Sequence, residues 1–144
     1  MLGAEEEIKR EYVSSGQVKL VFAPILDHDD HSLQAHQAGE CAAEQGQFWP
    51  LHDILFAELN DLWAGDVRQI IKNKAQRLPL DQAAFSTCID EQRYVELVTT
   101  QDEQRRALGV RTRPTVSIND QVVVGPQPFA IYKGLIDTLL ASGE

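Results

Sequence analysis

Residues 109–125 read GVRTRPTVSINDQVVVG, and the fold turns on them. Two β-prone runs, Thr115 to Ile118 and Gln121 to Val124, flank Asn119 and Asp120. Asn and Asp tolerate the left-handed backbone that a two-residue hairpin turn demands, so the stretch reads as a β-hairpin. Pro114 stands just before the first strand, where its missing N–H costs no ladder bond. An X-Pro bond at such an entry can be cis, which turns the chain sharply and leaves the preceding backbone open to an external partner. Beyond the hairpin, Gly125, Pro126 and Pro128 stop the second strand. Phe129 to Leu140 then places Ile131, Leu135, Ile136, Leu139 and Leu140 at the spacing of a one-sided helix.

Working back toward the N-terminus, the pattern is mostly helical. Ala4 to Ser15 has acidic residues in its first turn, Ile8 and Tyr12 four apart, and Gly16 as a stop. Val18 to Ala23 (VKLVFA), closed by Pro24, is too short and too β-branched for a helix and predicts a buried strand. Ser32 is expected to cap a helix running to about Gln45, ended by Gly46. Phe48-Trp49-Pro50 opens another, whose Trp49, His52, Phe56 and Leu59 should form its core face. Asp66 to Arg77 is a third, with Val67, Ile70 and Ile71 on one side. The Leu78-Pro79-Leu80-Asp81 break then caps a short helix over Gln82 to about Cys88, and Glu91 to Leu108 forms a charged helix closed by Gly109.

The chain has 144 residues and is 43% hydrophobic, enough for one globular core without a metal or disulfide staple. Its 22 acidic residues against 13 basic ones give a net charge of -9. That charge repels phosphate backbones and sets nucleic acid aside as a partner. The longest apolar stretch, Val18 to Leu26, is interrupted by Lys19 and Pro24 and falls short of the roughly 20 residues of a membrane span. Met1 leads almost directly into Glu5, Glu6 and Glu7, so no signal peptide is expected at this start.

Cys41 and Cys88 are the two cysteines, too far apart in sequence to be a dithiol within one helical turn. A redox nucleophile needs a depressed pKa from a helix N-terminus or a neighbouring cation. Cys41 falls inside a helix near Glu40 and Glu44, and Cys88 falls near a helix end before Asp90 and Glu91. Both settings disfavour the thiolate, which leaves two buried thiols acting as small apolar side chains among the readings. His28, His31 and His36 with Asp27, Asp29 and Asp30 match no closed metal site in their spacing, so no metal or other cofactor is expected. A loop or capping role suits His31, and a packed helix face suits His52. Trp49 and Trp63 are expected in the core. The acidic clusters Glu5 to Glu7 and Asp102-Glu103 read as solvated faces, and no phosphate-binding loop or serine elbow is present.

Four pieces in this order resemble the DsbA-like branch of the thioredoxin superfamily, the thiol-disulfide oxidoreductases of the bacterial cell envelope. They are YVSSGQVKLVF, HSLQAHQAGECAAEQGQFWPLHDILF, TRPTVSIND and VVGPQPF. The resemblance implies an α/β, thioredoxin-like fold over residues 1–144 as a single domain, with a helical insertion over about 32–108. It makes Pro114 the cis-proline, with Thr112 and Arg113 beside it holding an extended peptide. It also suggests that Cys41 and Cys88 form a structural disulfide within the insertion. The chain departs from the family in lacking its first strand, the Cys-x-x-C motif and the start of the first helix. It departs again in carrying Arg113 where a small residue is usual.

Two expectations follow. One is a family domain, N-terminally truncated and inactive in disulfide exchange because the catalytic dithiol is absent; the family implies a bacterial envelope or periplasmic location. The other is a redox-inactive module that binds a peptide or partner protein. In the second, the vacancy left by the family's first strand invites a homodimer or a strand-completing partner.

Overall fold

The structure, a computed structural model, describes residues 2–143. In order, α1 (Leu2–Ile8) runs into a π-helical turn (Lys9–Val13), followed after an extended stretch by α2 (Asp29–Ala43) and α3 (Phe48–Ala57). A 3-10 turn (Leu59–Trp63) leads to α4 (Val67–Ala75), α5 (Gln82–Asp90) and α6 (Val95–Ala107). The chain ends with β1 (Thr115–Ile118), β2 (Gln121–Val124) and α7 (Phe129–Ser142). It divides into two compact units, one formed by residues 1–22 with 108–144 and the other by residues 23–107.

In the first unit the hairpin forms at the predicted residues. Asn119 takes the left-handed conformation at φ 49°, which sets the register Ile118 to Gln121, Val116 to Val123 and Thr115 to Val124. One sheet face, Val116, Ile118 and Val123, packs with Ile8, Tyr12, Tyr132 and Ile136 into a small core. Tyr12 and Tyr132 are almost fully buried, and the Tyr12 hydroxyl donates to Asp137 at 2.5 Å while accepting from Lys133 at 2.9 Å. That contact ties the π-helical turn to α7. The face of α7 is Tyr132 and Ile136; Ile131 and Leu140, expected inside, are exposed. The apolar residues of α7 cover most of its circumference, so spacing alone did not single out the buried side.

The predicted strand Val18 to Ala23 does not form. Val18, Leu20 and Phe22 are half-buried and alternate with exposed Lys19, Val21 and Ala23, so the stretch keeps the period of a strand. It has no ladder partner among the described residues, where the sheet holds only β1 and β2.

The second unit is helical around a core of Ala38, Cys41, Leu51, Leu55, Ile71, Phe85, Cys88 and Ile89. Gly39 lets α2 approach α3 closely, since a Cβ there would stand 3.0 Å from the Phe48 ring. Asp81 caps α5 as expected, and Asp66, expected as the first residue of its helix, caps α4; each accepts two backbone N–H groups. Four expectations shift. The second helix starts at Asp29 rather than after Ser32, because the Ser32 hydroxyl sits inside the first turn and accepts from the His28 N–H. The buried side of α3 is Leu51, His52 and Leu55, leaving Phe56 and Leu59 exposed; this helix too is apolar nearly all round. Trp63, expected in the core, is 52% exposed and stacks on the His31 ring at 4.3 Å. Residues Glu91 to Tyr94 form a turn around Gln92 at φ 52°, so the long charged helix begins only at Val95.

Candidate functional site

The site begins where α6 ends. Gly109 at φ 80° terminates the helix, and Arg111, Thr112 and Arg113 follow as exposed residues before half-buried Pro114. The Arg113–Pro114 bond is cis. Two hydrogen bonds fix the turn against the hairpin: the Thr115 hydroxyl donates to the Thr112 carbonyl at 2.5 Å, and the Gly125 N–H donates to the Pro114 carbonyl at 2.8 Å. The turn therefore has a defined shape although its side chains stand in solvent.

The second of these bonds also decides which way the first strand faces. In an antiparallel pair, hydrogen-bonded and non-hydrogen-bonded residue pairs alternate. With Gly125 bonded to Pro114, the bonded pairs are Val116 with Val123 and Ile118 with Gln121. The N–H and C=O groups of Thr115 and Ser117 consequently point away from β2, and no other strand pairs with that edge among the described residues. An open edge of this kind can accept an extended chain through its main chain. Thr115 and Ser117 were missed in the sequence, although the turn at Asn119 and Asp120 carries the register that orients them.

Cys41 and Cys88 are joined by a disulfide with a Cα separation of 5.9 Å, linking α2 to α5. Both residues are 0% exposed, packed among Ala38, Ala42, Phe85 and Ile89. A sulfur in that position is out of reach of an attacking thiolate, so the bridge is a cross-link within the helical unit and not a dithiol in a reactive cleft.

The histidine cluster is dispersed into separate duties. His31 stacks on Trp63 and His28 meets it edge-on at 5.4 Å. His36 instead meets the Ile25 backbone through Nε2, 3.1 Å from the carbonyl oxygen, and loss of solvation pushes its pKa down to about 4. It is neutral at physiological pH. His52 is buried among Phe48, Trp49 and Phe56, with Nδ1 2.9 Å from the Asp53 carboxylate. These duties are structural, as expected for His52; for His31 they replace a loop role with an aromatic stack.

Asp102, read in sequence as part of a solvated acidic face, is instead buried and organises the polypeptide entering α2. It accepts from the Leu26 N–H at 3.1 Å and from Arg106 Nε at 2.6 Å, and it also pairs with Arg105. Burial acts to raise its pKa, but the hydrogen bonds from Arg106, Arg105 and Leu26 outweigh it and hold the carboxyl at about 2. Sequence spacing offered one signal, arginines three and four residues beyond an aspartate on one helix.

A thioredoxin family model matches residues 2–138. The crystal structure of oxidised BdbD from Bacillus subtilis is similar over 94% of this chain and 74% of its own, with a TM-score of 0.75 and 21% sequence identity. Disulfide bond formation protein D of Bacillus subtilis is 22% identical over 140 residues, 92% of this chain. Na(+)/H(+) antiporter NhaA 3 of Salinispora tropica is 27% identical over 143 residues, 98% of this chain. The chain spans 21% of the antiporter's length and 60% of that of the disulfide bond formation protein. The fold is thioredoxin-like, helix-rich α/β with a small antiparallel sheet.

Proposed function

We propose, since this chain belongs to the thioredoxin family and has the DsbA-like form of its fold, that it is a docking platform of the thiol-disulfide oxidoreductase kind which performs no disulfide exchange by itself. The observation that carries this reading is the state of its sulfur. Both cysteines of the chain are consumed in one buried bridge, and no Cys-x-x-C occurs in the sequence. Disulfide exchange requires an accessible thiolate, and the chain supplies none. What remains is the turn Thr112, Arg113 and Pro114 with the open edge of β1, which suits an extended peptide or protein segment. A single thioredoxin-fold domain with a helical insertion over about 32–108 belongs to the same reading, as does an oxidising compartment such as the bacterial envelope, where a bridge of this kind persists. An insulin-reduction or dithiol-oxidation assay with the 144-residue protein should run at background; turnover above it would refute the placement of the chemistry.

The antiporter match favours a second reading. A thioredoxin-like stretch that makes up about a fifth of a relative named for ion exchange suggests a module kept for binding. In that reading the β1 edge is completed by a second copy or by a strand from a partner. Light scattering should then detect a dimer as concentration rises, and a monomer throughout would count against self-association.

A further inference from the structure

We propose that a cavity at the N-terminal ends of α2 and α4 binds a small zwitterion, a free α-amino acid with an aromatic side chain. The cavity lies wholly in the helical unit of residues 23–107, and its role does not depend on the docking reading above. Its volume is about 410 Å³, and Asp30, His31, Gly65, Asp66, Val67 and Arg68 line it. That volume stands at the lower end of the range for small-molecule sites and suits a molecule the size of an amino acid.

Arg68 is the side chain that calls for a ligand. Residues 23–107 contain seven basic residues. Lys72, Lys74, Arg77, Arg93, Arg105 and Arg106 each pair with a carboxylate. Arg68, half-buried at the cavity, pairs with none among the described residues, although the same stretch of chain contains fifteen Asp and Glu. A guanidinium partly withdrawn from water without a counter-charge carries a desolvation cost that a ligand carboxylate offsets. Its planar, paired donors match that group in particular.

A simple anion does not fit, because two carboxylates line the same space. Asp66 Oδ1 accepts from the Arg68 and Gln69 N–H groups at 2.9 and 3.2 Å, and Asp30 Oδ1 accepts from the Gln34 amide at 2.9 Å. Those bonds hold both side chains and leave the second oxygen of each without a partner among the described residues. Such oxygens repel a bare anion and accept from an ammonium group. A molecule that carries both charges satisfies the guanidinium and the carboxylates together. The rest of the lining includes the His31 ring, held 4.3 Å from the Trp63 ring by their stack, and buried Val67. These offer the ligand's side chain a flat face and an apolar contact. Gly65 keeps the space open, since even a Cβ there would meet no atom within 4 Å.

The test is an NMR titration of the isotope-labelled full chain with three probes: phenylalanine, 3-phenylpropanoate, which lacks the ammonium, and phenethylamine, which lacks the carboxylate. Phenylalanine should shift the amides of His31, Gly65 and Val67 and the Trp63 indole in a saturable way, and each analogue should bind at least about tenfold more weakly. Arg68→Gln should weaken phenylalanine about tenfold and leave phenethylamine unchanged. Arg68→Lys, which keeps the charge without the paired donors, should fall between the parent and Arg68→Gln. Asp30→Asn should weaken phenylalanine and phenethylamine but not 3-phenylpropanoate. Resonances away from the cavity, expected to match the parent, show that each variant is folded. Binding of either analogue as tight as that of phenylalanine would overturn the zwitterion preference. Unaltered phenylalanine binding by Arg68→Gln would overturn the part given to the guanidinium, and the lack of saturable shifts at the cavity with phenylalanine would overturn the site itself.

Discussion

Opening the Cys41–Cys88 bridge should cost the protein about 4 kcal/mol. The sulfurs join positions 47 apart, and on the chain-entropy model a loop of that length removes about 14 cal/mol/K from the unfolded ensemble, or about 4 kcal/mol at 25 °C. Little of this is offset in the folded state. Two thiols left in the cluster of Ala38, Ala42, Phe85 and Ile89 remain small apolar side chains in an apolar site. Because both residues are 0% exposed, a reductant reaches them only when the unit opens. The protein is therefore reduced in denaturant and refolded under reductant, and its urea unfolding is compared with that of the oxidised form at identical sequence. With a slope of about 2 kcal/mol/M the midpoint should fall by roughly 2 M. Hydrogen exchange should show the lost protection concentrated in α2, α4 and α5. A reduced protein within about 1 kcal/mol of the oxidised one would refute the view that the bridge works by restricting the unfolded chain.

Two further expectations concern the scaffold. Asp102 has its folded pKa depressed from 3.8 to about 2, so its stabilisation is complete above the unfolded value and is lost as pH falls toward the folded one. Between about pH 4 and pH 2 the parent should lose about 2 kcal/mol more than Asp102→Asn, measured by urea unfolding at each pH; parallel curves would remove Asp102 from the acid response. Asp81→Ala takes away the acceptor for the Ala83 and Ala84 N–H groups, both at 3.0 Å, and should cost about 1 kcal/mol, with Asp81→Asn retaining most of the stability.

The hairpin, the helix cap at Asp81 and the glycine stops were legible because each depends on local backbone chemistry. Asn119, Gly16 and Gly109 occupy positive φ at the positions their residue types implied. The burial of α3 and α7 was not legible, since helices that are apolar on most sides carry no phase for spacing to reveal. Val18 to Ala23 failed for a different reason. A strand is a property of a pair, and the sequence of one member does not say whether a neighbour pairs with it. At the candidate site, Thr112, Arg113 and Pro114 were found through resemblance. The outward direction of Thr115 and Ser117 needed the observed register. Asp102 was misread because its partners include a backbone group 76 residues away, at Leu26.

The same contrast bears on what the chain can contribute to disulfide chemistry. A thiol–disulfide step needs three things together: an attacking thiolate, an accessible disulfide sulfur and a surface that holds the two in line. The bridge here meets neither sulfur condition, because its atoms are enclosed and its neighbours on α2 include Glu40, whose carboxyl burial pushes up in pKa, and Glu44. Opening it would produce a thiol on α2 beside Glu40 and Glu44, carboxylates that disfavour the thiolate. On the docking reading proposed above, the proline turn and the β1 edge serve the third condition alone. The sulfurs of this bridge thus take no part in exchange while the helical unit stays closed.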